Sequence, residues 1–180
     1  MKYFTMIIAL FYFSFTLSQD KRITKTGQIS FEASVTSFEE IKAKNDKVYC
    51  VLNIKTGVLS IVALINEFEF KHALMKAHFN DNYMESDRYP KAIFKGKIAD
   101  FNYNTIGTQL KEFKLRGRLE MHGHSKEITT TARLRKIKNS LEISSDFEVR
   151  TSDFDVTIPS MVSSKISNIV QIKTSFAVAD

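Results

Sequence analysis

The sequence predicts an all-β protein of eight antiparallel strands, closed on itself as a barrel or stacked as a sandwich. Three observations carry this. Apolar and polar residues alternate with period two through run after run, as strands with one buried and one wetted face require. Short turn signals separate the runs. The outward residues are charged or hydroxylic, so water covers that side and the apolar faces must meet one another. Several runs reach about ten residues, or roughly 33 Å. That is long for a compact sandwich and suits an eight-stranded barrel, which has room for packed side chains or one small ligand.

The first segment lies outside this pattern. Lys2 is followed by a nearly unbroken apolar run, Tyr3–Leu17, and small residues close it at Ser18. This reads as an export signal cleaved after Ser18. The run has 15 residues, short of the ~20 needed to span a bilayer as a helix. The expected product is a periplasmic or secreted domain over residues 19–180, a length that suits one domain. Its content, 43% hydrophobic with two Pro and six Gly, supports a core without metal or disulfide help. The chain carries +6, and removing Lys2 leaves +5. That bias is too mild to mark a nucleic-acid partner.

Strand one starts at Thr26. Ile29, Phe31, Ala33 and Val35 point one way, against Gln28, Ser30, Glu32 and Ser34. A helical turn is expected at Phe38–Ala43 and a turn at Asn45-Asp46. Strand two, Val48–Ile54, places the lone cysteine, Cys50, among Val48, Leu52 and Ile54. There it is a small core residue rather than a reactive thiol. After Lys55-Thr56-Gly57, Val58–Phe70 reads as one long strand.

His72–Gly96 comes next. Leu74 and Met75 recur one turn later as His78 and Phe79, so a short helix is expected. The polar loop Asn80–Arg88 follows. Beyond Pro90, strand four sets Ala92, Phe94, Gly96 and Ile98 against Lys91, Lys95 and Lys97. A helix that feeds a loop and then a one-sided strand reads as a lid over the mouth of a β-structure, or as a helix that closes an ordinary core. Strands five to eight follow the same rule, with inward sets Phe113–Met121, Ile128–Leu134, Leu141–Val149 and Val170–Val178. Lys138-Asn139-Ser140 is a tight hairpin turn.

Two stretches carry a family resemblance. LMKAHFNDNYMESDRYPKAIFKG, Leu74–Gly96, resembles the signature of the YceI-like family. LRGRLEMHGHSKEI, Leu115–Ile128, resembles that family's second stretch, with a His-Gly turn between strands. The resemblance spans Thr26 to Val178. It implies a lipocalin-like barrel with an elongated apolar cavity, a short helix between strands three and four, and binding of a polyisoprenoid or similar lipid. Residues that alternation turns inward near the lid are the expected wall: Phe31, Phe70, Leu74, Met75, Phe79, Phe94, Phe113 and Phe147. The alternative is a barrel with a filled core that acts through its surface, in a stress response or on a partner. Asn82, Glu85 and Ser86 could meet a headgroup or form a solvated loop.

No catalytic constellation is found by motif: no nucleophile elbow, phosphate loop or dinucleotide fingerprint occurs. The chain reads as a binding protein without cofactor. His122 and His124 could chelate a metal if they shared a strand face, but a third ligand is not visible by spacing, and turn or surface roles are expected. His72 and His78 read as a cap and a partly buried polar group. Lys95, Lys97, Lys114, Arg116, Arg118, Arg133 and Arg135 read as a solvated exterior, or as a contact face for anionic lipid headgroups.

Overall fold

The computed structural model describes residues 20–36 and 38–179. The expected export signal therefore lies outside the described residues. Eight long strands close a barrel: β1 (Lys21–Ser34), β2 (Lys42–Asn53), β3 (Val58–Leu64), β5 (Lys91–Ile98), β6 (Lys111–Met121), β7 (His124–Ile137), β8 (Ser140–Arg150) and β9 (Ile166–Ala179). Their ring order is β1-β9-β8-β7-β6-β5-β3-β2, and β2 pairs back onto β1. All the pairings are antiparallel. A two-residue strand, β4 (Glu69–Phe70), adds to β2, and one short helix, α1 (Ala73–His78), follows it. Every strand of the ring has a neighbour on both sides, although β7 and β8 pair only from Ala132–Ser145 to Ile137–Ser140.

Alternation produces this because each apolar set lands on the inner wall. Cys50 and Leu52 on β2 are fully buried, as are Ala132 and Leu134 on β7 and Val178 on β9. Leu52, Ile98, Leu134, Leu141 and Val178 fill one end of the barrel. Each such buried side chain contributes about 1.5–3 kcal/mol. Burial pushes the Cys50 thiol up to about 12, so it remains a neutral core group at ordinary pH.

Three expectations fail locally, each for a physical reason. No helical turn forms at residues 38–43. The Ala33 amide donates to Ile41 O, the Ser34 hydroxyl accepts from the Ile41 amide, and β2 begins at Lys42. Asn45-Asp46 is not a turn but lies within β2. Between the pairs Gly27–Val48 and Ile29–Asn45 the register shifts, so β2 carries an extra residue there. The fully buried Asn45 satisfies that bulge. Its Nδ2 donates to Leu64 O at 3.0 Å and its Oδ1 accepts from the Lys47 amide at 2.8 Å. The turn-forming chemistry is present, but it serves a bulge.

Val58–Phe70 is likewise not one strand. β3 ends at Leu64, opposite the first residue of β5, and a single 3₁₀ turn covers Ile65–Glu67. The β3–β5 ladder ends at the Leu64–Lys91 pair, and the chain beyond it buries Ile65 and Phe68. The Ile65 amide donates to Pro90 O at 2.9 Å. β4 then returns along β2, with Phe70 opposite Ala43.

Glycines shape the wall beside Phe94. Gly96 and Gly117 face each other across β5 and β6. The Phe94 ring lies over both, with Cζ 2.6 and 2.7 Å from where their β-carbons would stand. The two glycines give the ring space to lie flat against the sheet.

Candidate functional site

The barrel is packed at one end only. Toward the other end its interior opens into a cavity of about 570 Å³, within the range of ~300–1,000 Å³ typical of small-molecule sites. Its walls are strand residues such as Ile61, Ala63, Leu119, Ile128 and Ile172. Its floor includes Leu115, Ile143 and Phe176, all buried. Its mouth is framed by Phe38 and Ile41, by α1 and the π-helical turn after it (Phe79–Tyr83), and by residues 156–167.

Six of the eight sequence-predicted wall residues line this cavity: Phe31, Phe70, Met75, Phe79, Phe94 and Phe147. Two do not. Leu74 is 67% exposed and points to solvent. In a helix of six residues only one narrow stripe faces inward, and Met75 and Phe79, four apart, occupy it. Phe113 faces inward but sits opposite Ala132, past Leu115, at the packed end. Alternation gives the face of a residue and not its depth along the barrel.

The lid is held by aromatic packing. Phe79 stacks on Phe31 with ring centroids 5.3 Å apart and meets Phe70 at 5.1 Å and Phe68 at 6.0 Å. Such pairs add about 0.5–1.5 kcal/mol each beyond area burial. The ion pairs around the lid are exposed: Lys76 Nζ lies 2.6 Å from Glu69 Oε1 and His72 Nε2 lies 3.1 Å from Glu39 Oε1. Exposed pairs contribute about 0–1 kcal/mol, so the ring cluster dominates. His72 is the residue before the first helical turn, without a side-chain cap, and His78 is exposed at the cavity rim rather than half-buried. Of the signature loop, Tyr83 lines the cavity, while Asn82 and Glu85 are exposed.

The two histidines of the second stretch do not share a strand face. His122 and Gly123 form the two-residue hairpin turn between β6 and β7, both with positive φ (51° and 75°), the geometry that two-residue hairpins favour. His122 is a turn residue, yet it is buried. Its Nδ1 meets Phe154 O at 2.8 Å and its ring packs on Tyr89. Its Nε2 lies 3.4 Å from Glu85 Oε1 and is not aligned with it as a hydrogen bond. His124 is exposed and lies 4.0 Å from Asp155. Among the described residues, no three His, Cys, Asp or Glu side chains gather as metal ligands.

The outer basic face divides in two. Arg133 pairs with Asp146 and Arg135 with Glu142. On β5 and β6, Lys95 lies opposite Arg118 and Lys97 opposite Arg116. Both arginines lean toward one carboxylate, Glu127, at 3.6 and 3.5 Å.

Sequence reasoning missed the mouth segment 156–167. Ile158 and Val162 reach the cavity from it, but an irregular segment carries no periodicity to reveal which way its side chains point.

Comparison with known proteins agrees with this architecture. A polyisoprenoid binding domain from Saccharophagus degradans, implicated in plant cell wall breakdown, superposes with a TM-score of 0.76 at 13% identity. The match covers 89% of this chain and 98% of that one. Burkholderia cenocepacia BcnA gives a TM-score of 0.69 at 16% identity, over 86% of this chain and 96% of that one. A Campylobacter jejuni YceI protein gives 0.61 at 15% identity, over 81% and 90%. No curated protein matches the chain by sequence. The profile of the YceI-like domain matches residues 12–178. With nearly the whole chain matched and the closed barrel shared, this protein belongs to the YceI-like domain family.

Proposed function

We propose that the protein carries a polyisoprenoid or similar long-chain amphiphile inside its barrel, outside the cytoplasm, and is not an enzyme. The observation that carries this reading is the apolar cavity of about 570 Å³, closed at one end by packed side chains and lidded at the other by α1. Each CH₂ group transferred into such a space contributes about 0.8 kcal/mol, so a long chain binds without many polar contacts. Phe31, Phe70, Met75, Phe79, Phe94 and Phe147 form the contact wall. The family membership and the polyisoprenoid binding of the Saccharophagus neighbour support the same class of cargo. The N-terminal apolar run supports export.

The cavity weighs against the filled-core alternative. Loading from a membrane also fits the charge pattern. Arg116 and Arg118 share one carboxylate, Glu127. Together with Lys95 and Lys97 opposite them, they can approach anionic headgroups, each basic residue adding about 1 kcal/mol near the surface.

The test is titration with a fluorescent apolar probe whose emission rises in dry surroundings. The expected result is saturation at one probe per chain and displacement by added polyisoprenoid. No emission change at any concentration would overturn the carrier reading.

A further inference from the structure

One part of the cavity wall is not apolar. Thr130 on β7, Ser145 on β8 and Thr174 on β9 all line the cavity. Ser145 pairs with Thr174 across β8 and β9. It pairs on its other side with Ala132, two residues from Thr130 on the same inner face. The three hydroxyls therefore form one strip across adjacent strands. They lie deep, next to the floor residues Ile143 and Phe176, two positions from Ser145 and Thr174 along their strands.

The hydrogen bonds of the strip run into the wall. Ser145 Oγ donates to Thr131 O at 2.9 Å, and Thr174 Oγ1 donates to Ser145 O at 3.2 Å. Thr130 Oγ1 lies 3.1 Å from both Asp146 O and Ser145 Oγ. Because the Ser145 proton is committed to Thr131 O, the Thr130 proton goes to one of those two acceptors. Every hydroxyl proton is thus engaged by the protein. Each hydroxyl oxygen has two lone pairs, and at most one of the six is taken, on Ser145. The strip offers acceptors to the cavity and withholds donors.

We propose that Thr130, Ser145 and Thr174 form a polar subsite at the cavity floor that receives a hydrogen-bond donor at the inner end of the cargo. This rests on the carrier reading and deepens it. The preferred ligand is a long apolar chain ending in a hydroxyl or another donor, inserted polar end first, with its chain running out toward α1. A terminal ether or ester, which brings acceptors only, faces lone pairs and is disfavoured. Burying a hydroxyl without a partner is costly, so a wall without the strip would reject the same alcohol.

The experiment measures competition of hexadecanol and of its methyl ether against the bound fluorescent probe. The wild-type protein is expected to bind the alcohol about tenfold more tightly than the ether, the scale of one buried hydrogen bond. In Thr130→Val/Ser145→Ala/Thr174→Val, which removes all three acceptors, the ratio is expected to fall to near one. Thr174→Ser, which keeps the hydroxyl, should retain the preference. If the triple variant does not fold, Thr130→Val/Thr174→Val, which leaves Ser145 as the remaining acceptor, is expected to give a ratio clearly below that of the wild type. A wild-type ratio near one, or a preference that survives loss of the hydroxyls, overturns the subsite and leaves the carrier reading standing. If neither compound displaces the probe and the probe itself does not bind, the carrier reading fails and takes the subsite with it.

Discussion

Ala92→Trp is expected to abolish lipid uptake while the barrel stays folded. Ala92 lines the cavity on β5, opposite Ala63 on β3, where two small side chains leave the wall thin. An indole at this position projects into the space beneath the lid. Excluding even four CH₂ groups of a bound chain removes about 3 kcal/mol, or more than a hundredfold in affinity. The fold has room to accept the ring because the space is otherwise unfilled, so the cost in stability should stay below about 2 kcal/mol. Probe titration and thermal unfolding, run side by side, check both halves. Uptake at wild-type affinity by a folded variant would mean that the cargo does not occupy this part of the barrel.

The largest effect on stability is expected from Gly117→Ala. A β-carbon there would overlap Gly96 Cα and Lys95 O. Both neighbours are backbone atoms of the paired strand and cannot swing aside, so β5 and β6 must separate. The Phe94 ring, 2.7 Å away, would also lose its seat. A loss of about 3 kcal/mol is expected, which lowers Tm by roughly 10 °C in a chain of this size. Gly107→Ala is the control, since nothing lies within 4 Å of its added carbon. Equal Tm values for the two variants would contradict this reading of the glycine pair.

Both predictions come from inward-facing positions, and the inward face was the part of the protein most legible in the sequence. Period-two alternation identified the eight long strands because a closed antiparallel barrel wets one face of every strand and buries the other. It placed Phe31, Phe94 and Phe147 on the inner wall, and Thr130, Ser145 and Thr174 as well. What alternation could not supply is the position along the barrel axis. That depends on register between strands, so it could not separate Phe113 at the packed end from Phe147 in the cavity. It could not show either that the three hydroxyls meet. The Asn45-Asp46 signal misled because turn-forming residues also satisfy bulges. Leu74 misled because a helix of six residues is too short for its apolar stripe to be read without knowing which side the barrel lies on.

Mass spectrometry of an organic extract of the protein, purified without detergent, tests the carrier reading most directly. The expected result is a single long-chain species, apolar along its length and ending in a hydrogen-bond donor, at close to one molecule per barrel. An empty extract, together with no uptake of added polyisoprenoid, would contradict it. That outcome would move attention to the basic outer face on β5 and β6.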